Sequence, residues 1–520
     1  MVYMPSAYLA SAAAAFVALQ MQQTSATSLQ YDPYTTCTSY DIGNQNFPGR
    51  GSEIVDDGTC TITVPEDPNL PKTDSIATVS VTYVNLLSNK SASPAEPISS
   101  KVGTAIISEE TPPAEAKQDA YVMMQGSTAT SLTSVSTGST RRRLELASSD
   151  DIAVLEDYFG TPMERKLANL PTSAVYTPSP WAGSNWPAYL DSINYEWNQG
   201  QLSPAEKYAK AFGLDVKAFM DSVSAQNGIE AHNYLAPCAS NTECYDPNVD
   251  TVCAKRANAT SGYCIPTWFG ICHAWSPAAI LESEPNCPVT YNGITFQPMD
   301  IKALVTDIYV EANISTVFTG SRFSKYHNDS IDEYGSHTDY SYRDLNPGFL
   351  HVAASNLLGK LNTTFIIDRD AGDEVWNQPV VGFKVYEQTA MTTEKAANTF
   401  YGLEEYPWNA NASSIVYVKS RLSWINETLT DGGLVASGLN ENFTTGAYYD
   451  YLLELDEAEE IIGGEWLYGS NDNHPDFLWF ARGKPLADTV TSIGLSYANV
   501  TMLLEQSVAC SKSGSTPLTK

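Results

Sequence analysis

The chain has 520 residues, of which 43% are hydrophobic and 17% are charged, so it is long enough for a large folded domain with additional segments. Its formal net charge of −31 argues against nucleic-acid binding, because phosphate backbones repel an acidic surface. No apolar run beyond residue 26 is long enough to span a bilayer, so no membrane span is predicted.

Residues 1–26 resemble a secretory signal peptide, because an apolar run from Tyr8 to Leu19 is followed by small residues. We therefore expect a secreted protein that is extracellular or associated with the cell wall. Acceptor patterns for N-linked glycans support this compartment. They lie at Asn89, Asn258, Asn313, Asn328, Asn362, Asn411, Asn426, Asn442 and Asn499.

Residues 27–143 form the next unit, a predicted pro-region that is rich in Thr and Ser. Alternating runs such as TCTITV and ATVSVTYV predict short β-strands, and residues 126–140 have the composition of a flexible linker. The linker ends in Arg141, Arg142 and Arg143, which are either a processing site or a solvated charge run. The remainder is predicted to be a large domain over 144–510 and a flexible tail over 511–520.

Two helices are predicted early in the large domain. Ser203, Pro204 and Glu206 match an N-cap, a first-turn proline and the glutamate of a capping box. That helix should continue through Lys210. A second helix should begin after Asp215 and end near Gln226.

The chain has nine cysteines, an odd number, which in an oxidising compartment predicts an intermolecular bridge or a free thiol. A zinc site in the cluster between residues 238 and 264 is disfavoured, because its spacing lacks C-x-x-C pairs. Sequence cannot establish connectivity. The favoured pairings, which leave Cys272 free, are Cys37 with Cys60, two bridges among Cys238, Cys244, Cys253 and Cys264, and Cys287 with Cys510.

Cys272 follows Gly270 in the segment GICHAWSPAAI, where a small residue lets the backbone turn and present the sulfur in a cleft. Because a proline breaks a helix that began earlier, we expect Ser276 to cap a helix that starts at Pro277. Cys272 would then lie one turn before that helix. The positive end of the helix would favour its thiolate only weakly.

A base and a carboxylate follow Cys272 in the order typical of a thiol-based acyl-transfer site. His351 lies in an apolar run after a Pro-Gly turn, where a structural role is the alternative. The strand Phe365 to Ile367 leads into Asp368, so two successive strands would place the imidazole beside the carboxylate. Asp370, on the same strand face by the period of two, is the alternative carboxylate.

Three segments resemble the oomycete cell-wall transglutaminases. VWNQPV at 375–380 and GFKVYE at 382–387 resemble the elicitor peptide of that family, and GICHAWSPAA and NPGFLHV resemble two of its other segments. One departure is Val381, which stands where the peptide of the family carries Arg. This difference leaves catalysis untouched and bears on immune recognition of the peptide.

The resemblance implies a secreted, glycosylated and calcium-dependent protein-glutamine γ-glutamyltransferase with a surface elicitor peptide at 375–387. The implied fold is α+β, a papain-like cysteine protease/transglutaminase core with helical and disulfide-rich elaborations behind a small β-rich pro-region. It assigns the nucleophile, base and orienting carboxylate to Cys272, His351 and Asp368. The implied partners are protein glutamine and lysine side chains, cell-wall proteins and a host immune receptor.

Further site residues are expected around this triad. Trp268 and Trp275 are candidates for an indole donor to the oxyanion, with core or groove packing as the alternative. Trp376 is expected to shield the contact between the base and the carboxylate from water. The acidic loop with Asp329, Asp332 and Glu333 is the calcium candidate, although acidic loops are often only solvated.

Two other functions fit the sequence. A papain-like cysteine protease would use the same triad, with water in place of an amine resolving the acyl-enzyme. A non-catalytic cell-wall or host-interaction glycoprotein would predict that Cys272 is bonded to another cysteine.

Overall fold

The computed structural model of the protein describes residues 59–63, 78–82, 151–246, 249–312, 314–323, 329–332 and 336–509. The predicted signal peptide, the tribasic site and the tail over 511–520 lie outside these residues. In the predicted pro-region, the strands β1 (Thr59–Thr63) and β2 (Thr78–Thr82) form an antiparallel pair.

Helices occur on both sides of the large sheet. The first helix, α1, covers residues 151–159. The others are α2 (Pro204–Phe212), α3 (Val216–Asn227), α4 (Cys272–Leu281), α5 (Pro298–Glu311), α6 (Tyr340–Arg343), α7 (Pro347–Ala354), α8 (Thr393–Ala396), α9 (Leu434–Ser437) and α10 (Tyr497–Ala509). Two of them continue as π-helical turns, α7 over Ser355–Lys360 and α8 over Ala397–Tyr401.

Eight strands build the large sheet, in the order β14-β13-β12-β11-β10-β15-β9, with β3 paired to β11. All of their pairings are antiparallel. Their bounds are β3 (Ser173–Val175), β9 (Thr316–Gly320), β10 (Ile366–Asp368), β11 (Asn377–Met391), β12 (Ser414–Ile425), β13 (Thr444–Leu455), β14 (Ile461–Trp466) and β15 (Phe477–Ala481). Outside it, β4 (Pro237–Cys238), β6 (Gly262–Pro266) and β5 (Thr251–Ala254) form a small sheet, and β7 (Val289–Tyr291) pairs with β8 (Ile294–Phe296).

The two faces of the large sheet carry different cores, because side chains alternate along each strand. Ile367 of β10 and Phe365 just before it belong to the core that contains α1 and α7, whereas Ile366 belongs to a cluster on the other face. On β15, Leu478 belongs to the first of these clusters and Trp479 to the second. We call these the α7 face and the α4 face, the latter being the side on which α4 packs against β11.

The two predicted early helices are confirmed. Ser203 Oγ accepts a hydrogen bond of 3.2 Å from the Glu206 N–H, and Pro204 is the first residue of α2. Asp215 Oδ1 accepts a hydrogen bond of 2.8 Å from the Ala218 N–H at the start of α3. Each cap satisfies a backbone donor that the helix itself leaves unpaired.

The small three-stranded sheet is held by two disulfides, Cys238–Cys253 and Cys244–Cys264. The prediction of two local bridges in this segment is confirmed. They close loops of 15 and 20 residues, a size at which each bridge contributes about 3 kcal/mol to stability. Cys287 is also disulfide-bonded. Cys37 and Cys510 lie outside the described residues, and the Cys60 side chain is not described.

Candidate active site

Helix α4 begins at Cys272, five residues earlier than expected from Pro277. That expectation was wrong because Pro277, the sixth residue of α4, removes only the one backbone donor that would bind the His273 carbonyl. The first turn is already closed upstream of Pro277, because the Trp275 N–H donates to the Ile271 carbonyl at 3.0 Å. Cys272 is therefore in the first turn, at the positive end of a ten-residue helix.

The backbone immediately before Cys272 is tightly packed. A side chain at Gly270 would place its Cβ 2.6 Å from the Asn185 carbonyl oxygen, which is closer than such atoms approach. The Ile271 N–H donates to the same carbonyl at 2.7 Å. Glycine thus allows the chain that leads into α4 to pass against its neighbour, which fixes the position of the thiol.

The Cys272 thiol is 4% exposed and lies against β11. Asn377 Nδ2 donates to Cys272 Sγ at 3.5 Å, and Sγ donates to the Val375 carbonyl at 3.7 Å. Burial raises the pKa of the thiol to about 12, although the hydrogen bonds from Asn377 act in the opposite direction. The charges of Glu427 and Asp368 add to the increase, so both carboxylates act on the sulfur electrostatically.

Besides its contact with Cys272, Asn377 is held by two further hydrogen bonds. Its Oδ1 accepts a hydrogen bond of 2.7 Å from the indole Nε1 of Trp479, and its backbone carbonyl accepts one of 2.7 Å from Ser276 Oγ. Ser276 is in α4, one turn after Cys272, so the same helix anchors both the sulfur and the residue that contacts it. All four side chains are buried.

Asp368 ends β10 and pairs with Asn377 in the sheet, which places its side chain on the α4 face. Its Oδ1 accepts hydrogen bonds from the Trp376 N–H at 2.8 Å and the Asp370 N–H at 3.3 Å. Its Oδ2 is buried and has no hydrogen-bond partner among the described residues. Burial raises the pKa of this carboxyl well above its usual range, and the charge of Asp370 adds to the effect.

A second buried carboxylate, Asp476, lies next to Asp368, since its backbone N–H donates to the Asp368 carbonyl at 3.1 Å. Asp476 Oδ2 accepts from the Phe323 N–H at 2.9 Å, and Oδ1 has no partner in the described part of the chain. Burial raises the pKa of Asp476 well above its usual range, and the charge of Asp368 raises it further.

Asp370 does not share a strand face with Asp368, because β10 ends at Asp368. Asp370 is in the turn that follows, where its Oδ1 accepts a hydrogen bond of 2.9 Å from the Gly372 N–H. The period of two that underlies the prediction applies only within the strand, so this part of the prediction was wrong.

His351 does not contact Cys272 or Asp368. It lies in helix α7, not in a strand, because Asn346 caps that helix and Pro347 is its first residue. Its Nδ1 hydrogen-bonds Tyr451 Oη at 2.8 Å on the α7 face, the opposite side of the sheet from Cys272. The predicted contact between base, thiol and carboxylate was therefore wrong, and the geometry does not support His351 as the base.

The large domain is similar to known proteins. The transglutaminase elicitor family matches residues 151–510. The chain belongs to this family. It is also similar to the crystal structure of the GP42 transglutaminase from Phytophthora sojae, with 62% identity, a TM-score of 0.63, and coverage of 70% of this chain and 98% of that one. No curated protein matches the chain.

The segment 375–387, which resembles the elicitor peptide, is a central part of the sheet in this member of the transglutaminase elicitor family. Its strand β11 pairs with β10, β12 and β3. Lys384 is its exposed residue; Trp376, Val385 and Tyr386 are half-buried, and the others are buried. The expectation of a surface peptide was wrong, because pairing along both edges and helices on both faces cover this strand.

The three tryptophan candidates have different surroundings. Trp275 is fully buried in the helical core, and its Nε1 has no partner among the described residues. Trp268 packs against the cluster on the α4 face that contains Ile366 and Trp479. Trp376 donates from Nε1 to Glu374 Oε2 at 2.9 Å, and its backbone N–H binds Asp368. The base–carboxylate contact that Trp376 was expected to shield is not formed.

In the described part of the predicted calcium loop, the carboxylates of Asp329 and Asp332 accept hydrogen bonds from the loop itself. Asp329 Oδ1 accepts from the backbone N–H groups of Thr338 and Asp339, and Oδ2 is 2.5 Å from His337 Nδ1. Asp332 Oδ1 accepts from the Ser336 N–H at 2.9 Å. In the described ranges, the one cluster of metal-ligating atoms consists of disulfide sulfurs. These contacts give no support for calcium at Asp329 and Asp332, Glu333 lies outside the described residues, and the calcium site stays a prediction.

The predicted glycan acceptors differ in accessibility. Most of the described ones have exposed side chains, namely Asn258, Asn362, Asn411, Asn426 and Asn442. Asn499 is half-buried in α10, and its Nδ2 donates to Tyr208 Oη at 3.3 Å. N-linked glycans are joined to asparagine through Nδ2, so modification of Asn499 would disturb this contact. Asn89, Asn313 and Asn328 lie outside the described residues.

Two residues of the site, Asn377 and Trp479, were not predicted from the sequence. Asn377 stands inside the segment that resembles the elicitor peptide, but nothing in a single sequence indicates that its amide faces the thiol. Trp479 lies more than a hundred positions after Asn377 in the chain, in an apolar strand whose sequence indicates only a core position. Their contact depends on the pairing of β10 with both β11 and β15, a long-range feature.

Proposed function

We propose that this protein is a protein-glutamine γ-glutamyltransferase in which Cys272 is the nucleophile. The observation that carries the proposal is the free, buried thiol in the first turn of α4, with the Asn377 amide directed at its sulfur. Of the cysteines whose side chains are described, Cys272 alone is unpaired. Membership of the transglutaminase elicitor family and the similarity to the GP42 transglutaminase support this reaction class.

The reaction proceeds in two acyl transfers. Cys272 Sγ attacks the γ-carboxamide carbon of a glutamine, the carbon–nitrogen bond breaks, and ammonia leaves with the proton taken from the thiol. The resulting thioester is then attacked by the amine of a lysine, which forms the isopeptide bond and returns the thiol. Water in place of the amine would convert glutamine to glutamate.

For the proton transfer we propose Asp368 in place of His351. Asp368 shares the α4 face with Cys272, its Oδ2 has no partner among the described residues, and its charge acts on the thiol. Burial makes this carboxylate more basic than usual, which brings the proton affinities of acceptor and thiol closer together. Because the thiol also has a raised pKa, the transfer requires concerted attack on the substrate.

Calcium dependence, a papain-like core and secretion stay predictions. Calcium is implied by the resemblance, and no described ligand set supports it, so no step of the reaction is assigned to it. None of the described helices could cross a membrane. The family membership supports an extracellular location, with protein glutamine and lysine side chains as substrates. Immune recognition of 375–387 would require that this strand be released from the sheet.

Incorporation of a fluorescent primary amine into a glutamine-containing protein tests the function. We expect incorporation by the wild-type protein and its loss in Cys272→Ala. Peptide-bond cleavage without incorporation would favour the protease, which uses the same thioester chemistry. A thiol at Cys272 that is not labelled before reduction, together with no incorporation, would favour the non-catalytic glycoprotein. Addition and chelation of calcium in the same assay test the predicted metal dependence.

A further inference from the structure

The carboxamide of Asn377 has a second role at the thiol, beyond its place in the sheet. Building on the proposed function, we propose that Asn377 is a catalytic residue whose amide holds the Cys272 thiolate and then binds the oxyanion of the tetrahedral intermediate. In the same proposal, Trp479 is the positioning residue that fixes the orientation of the amide.

The indole of Trp479 decides which end of the carboxamide faces the sulfur. An indole N–H can only donate, so the atom of Asn377 that lies 2.7 Å from Trp479 Nε1 has to be the acceptor Oδ1. The NH₂ group is then directed at Cys272 Sγ, at 3.5 Å. A thiolate can only accept hydrogen bonds, so this orientation matches the ionised form of Cys272.

Burial increases the stabilisation that the Asn377 amide gives to the thiolate. Cys272 is 4% exposed and Asn377 is 0% exposed, so the charge that develops on sulfur is shielded from solvent. A hydrogen bond to a charged acceptor is stronger than one between neutral groups, and its electrostatic part grows as the surroundings become less polar. The Glu427 and Asp368 carboxylates raise the cost of forming the thiolate, whereas the Asn377 amide lowers it.

The same NH₂ group is in place for the oxyanion. When Sγ attacks the glutamine carboxamide, the carbonyl oxygen that becomes negative is attached to the carbon that binds sulfur. A donor that contacts Sγ and carries two N–H bonds can therefore serve both atoms in turn. The backbone N–H of Cys272, at the first position of α4, would act with it.

Four variants test the proposal: Asn377→Leu and Asn377→Asp at the donor, Trp479→Phe at the positioning residue, and Trp466→Phe as the matched control. Trp466 is also a buried tryptophan with a donating indole, to the Leu345 carbonyl at 2.9 Å, but it belongs to the core of the α7 face. The first measurement is the rate of Cys272 alkylation by iodoacetamide at a pH where that rate rises with pH. Amine incorporation and the midpoint of thermal unfolding are measured on the same samples.

We expect alkylation to be slowed about tenfold in Asn377→Leu, which corresponds to a rise of about one unit in the thiol pKa. Asn377→Asp keeps the size of the side chain but replaces the donor with a negative charge, so its alkylation should be slower still. Trp479→Phe should fall between wild type and Asn377→Leu, and Trp466→Phe should match wild type. For amine incorporation, kcat of Asn377→Leu should fall about 100-fold with little change in KM.

The outcomes separate this inference from the proposed function, because alkylation needs no glutamine substrate. Slow alkylation in the Asn377 variants supports the thiolate contact even if the wild-type protein incorporates no amine. Folded Asn377→Leu with wild-type alkylation overturns the proposal; if the leucine variant does not fold, wild-type alkylation of Asn377→Asp overturns it. Slow alkylation with unchanged kcat overturns the oxyanion contact, and equal rates for the two tryptophan variants overturn the positioning role.

Discussion

His351 and Cys272 lie on opposite faces of the same antiparallel sheet. His351 joins α7 to β13 through its hydrogen bond of 2.8 Å with Tyr451 Oη, whereas Cys272 contacts β11 from the other side. Burial lowers the pKa of His351 to about 4, so at neutral pH it is a neutral imidazole inside a core. Its surroundings are those of a structural residue.

Replacement of His351 by Leu should reduce stability and leave chemistry intact. Loss of the imidazole leaves Tyr451 Oη with its remaining contact to Ser420 Oγ at 3.2 Å, and we expect the free energy of unfolding to fall by about 1–3 kcal/mol. At a temperature where the variant is folded, Cys272 alkylation and amine incorporation should stay within about twofold of wild type. A loss of more than about 100-fold, with folding intact, would restore His351 as the base.

Asp368→Asn should abolish most of the amine incorporation, by about 100-fold or more, because the variant cannot accept the proton of the thiol. Asp370→Asn is the matched control, since Asp370 binds the Gly372 N–H in the adjacent turn. A base must be ionised, and burial raises the pKa of Asp368. Activity of the wild type should therefore fall as the pH drops below that raised value. An Asp368→Asn variant as active as Asp370→Asn would refute the assignment.

Local features of this fold can be read from the sequence, because they depend on neighbouring residues. The caps at Ser203 and Asp215 illustrate this. The cap of α7 by Asn346 and Pro347 carries an equally local pattern, which the Pro-Gly turn obscured. The start of α4 at Cys272 shows the opposite case, since the general rule that proline breaks a helix does not hold for Pro277, which lies inside α4.

Only some of the residues that form the site could be predicted from the sequence. The favoured cysteine pairings leave Cys272 free, and the apolar strand before Asp368 marks it as a candidate carboxylate. Two residues from different elements can come into contact only if both elements lie on the same face of the sheet. A single sequence does not determine on which face α7, and with it His351, packs. The contact between Asn377 and Trp479 is set by strand pairing across about a hundred residues.

The buried ion pair of Lys207 and Asp300 should be costly to break. The Lys207 Nζ and Asp300 Oδ2 atoms are 2.5 Å apart, and both side chains are almost fully buried. Lys207→Met leaves the carboxylate without its cation, so the free energy of unfolding should fall by about 3–5 kcal/mol near neutral pH. Burial already raises the pKa of Asp300, so protonation should make the loss smaller at acidic pH.

Denaturant titration of Lys207→Met and of a control, Lys217→Met, checks this prediction. Lys217 pairs with Asp221 at 2.6 Å on the surface of α3, with 86% of the lysine side chain exposed. Removing it should change the free energy of unfolding by less than about 1 kcal/mol. Equal losses in the two variants, or a loss for Lys207→Met that does not shrink on acidification, would contradict the argument.

His337 should make stability depend on pH. Its Nδ1 and Nε2 lie 2.5 Å from Asp329 Oδ2 and 3.0 Å from Asp472 Oδ1, and its ring stacks on Tyr342 with centroids 3.5 Å apart. Burial lowers the pKa of His337, but the hydrogen bonds to Asp472 and Asp329 outweigh it, so the pKa is raised above its usual value. The protonated imidazole, which can donate from both nitrogens, thus binds the two carboxylates best.

A folded-state pKa above the unfolded value of about 6.5 means that protonated His337 favours the folded state. The stabilisation is complete below that unfolded value and is lost as the pH rises through the folded value. We expect the difference in unfolding free energy between wild type and His337→Gln to be largest near pH 5–6 and to decline at higher pH. Denaturant titrations of both proteins over this range measure it. A difference that is constant, or that grows as the pH rises, would show that the two carboxylates do not hold a charged His337.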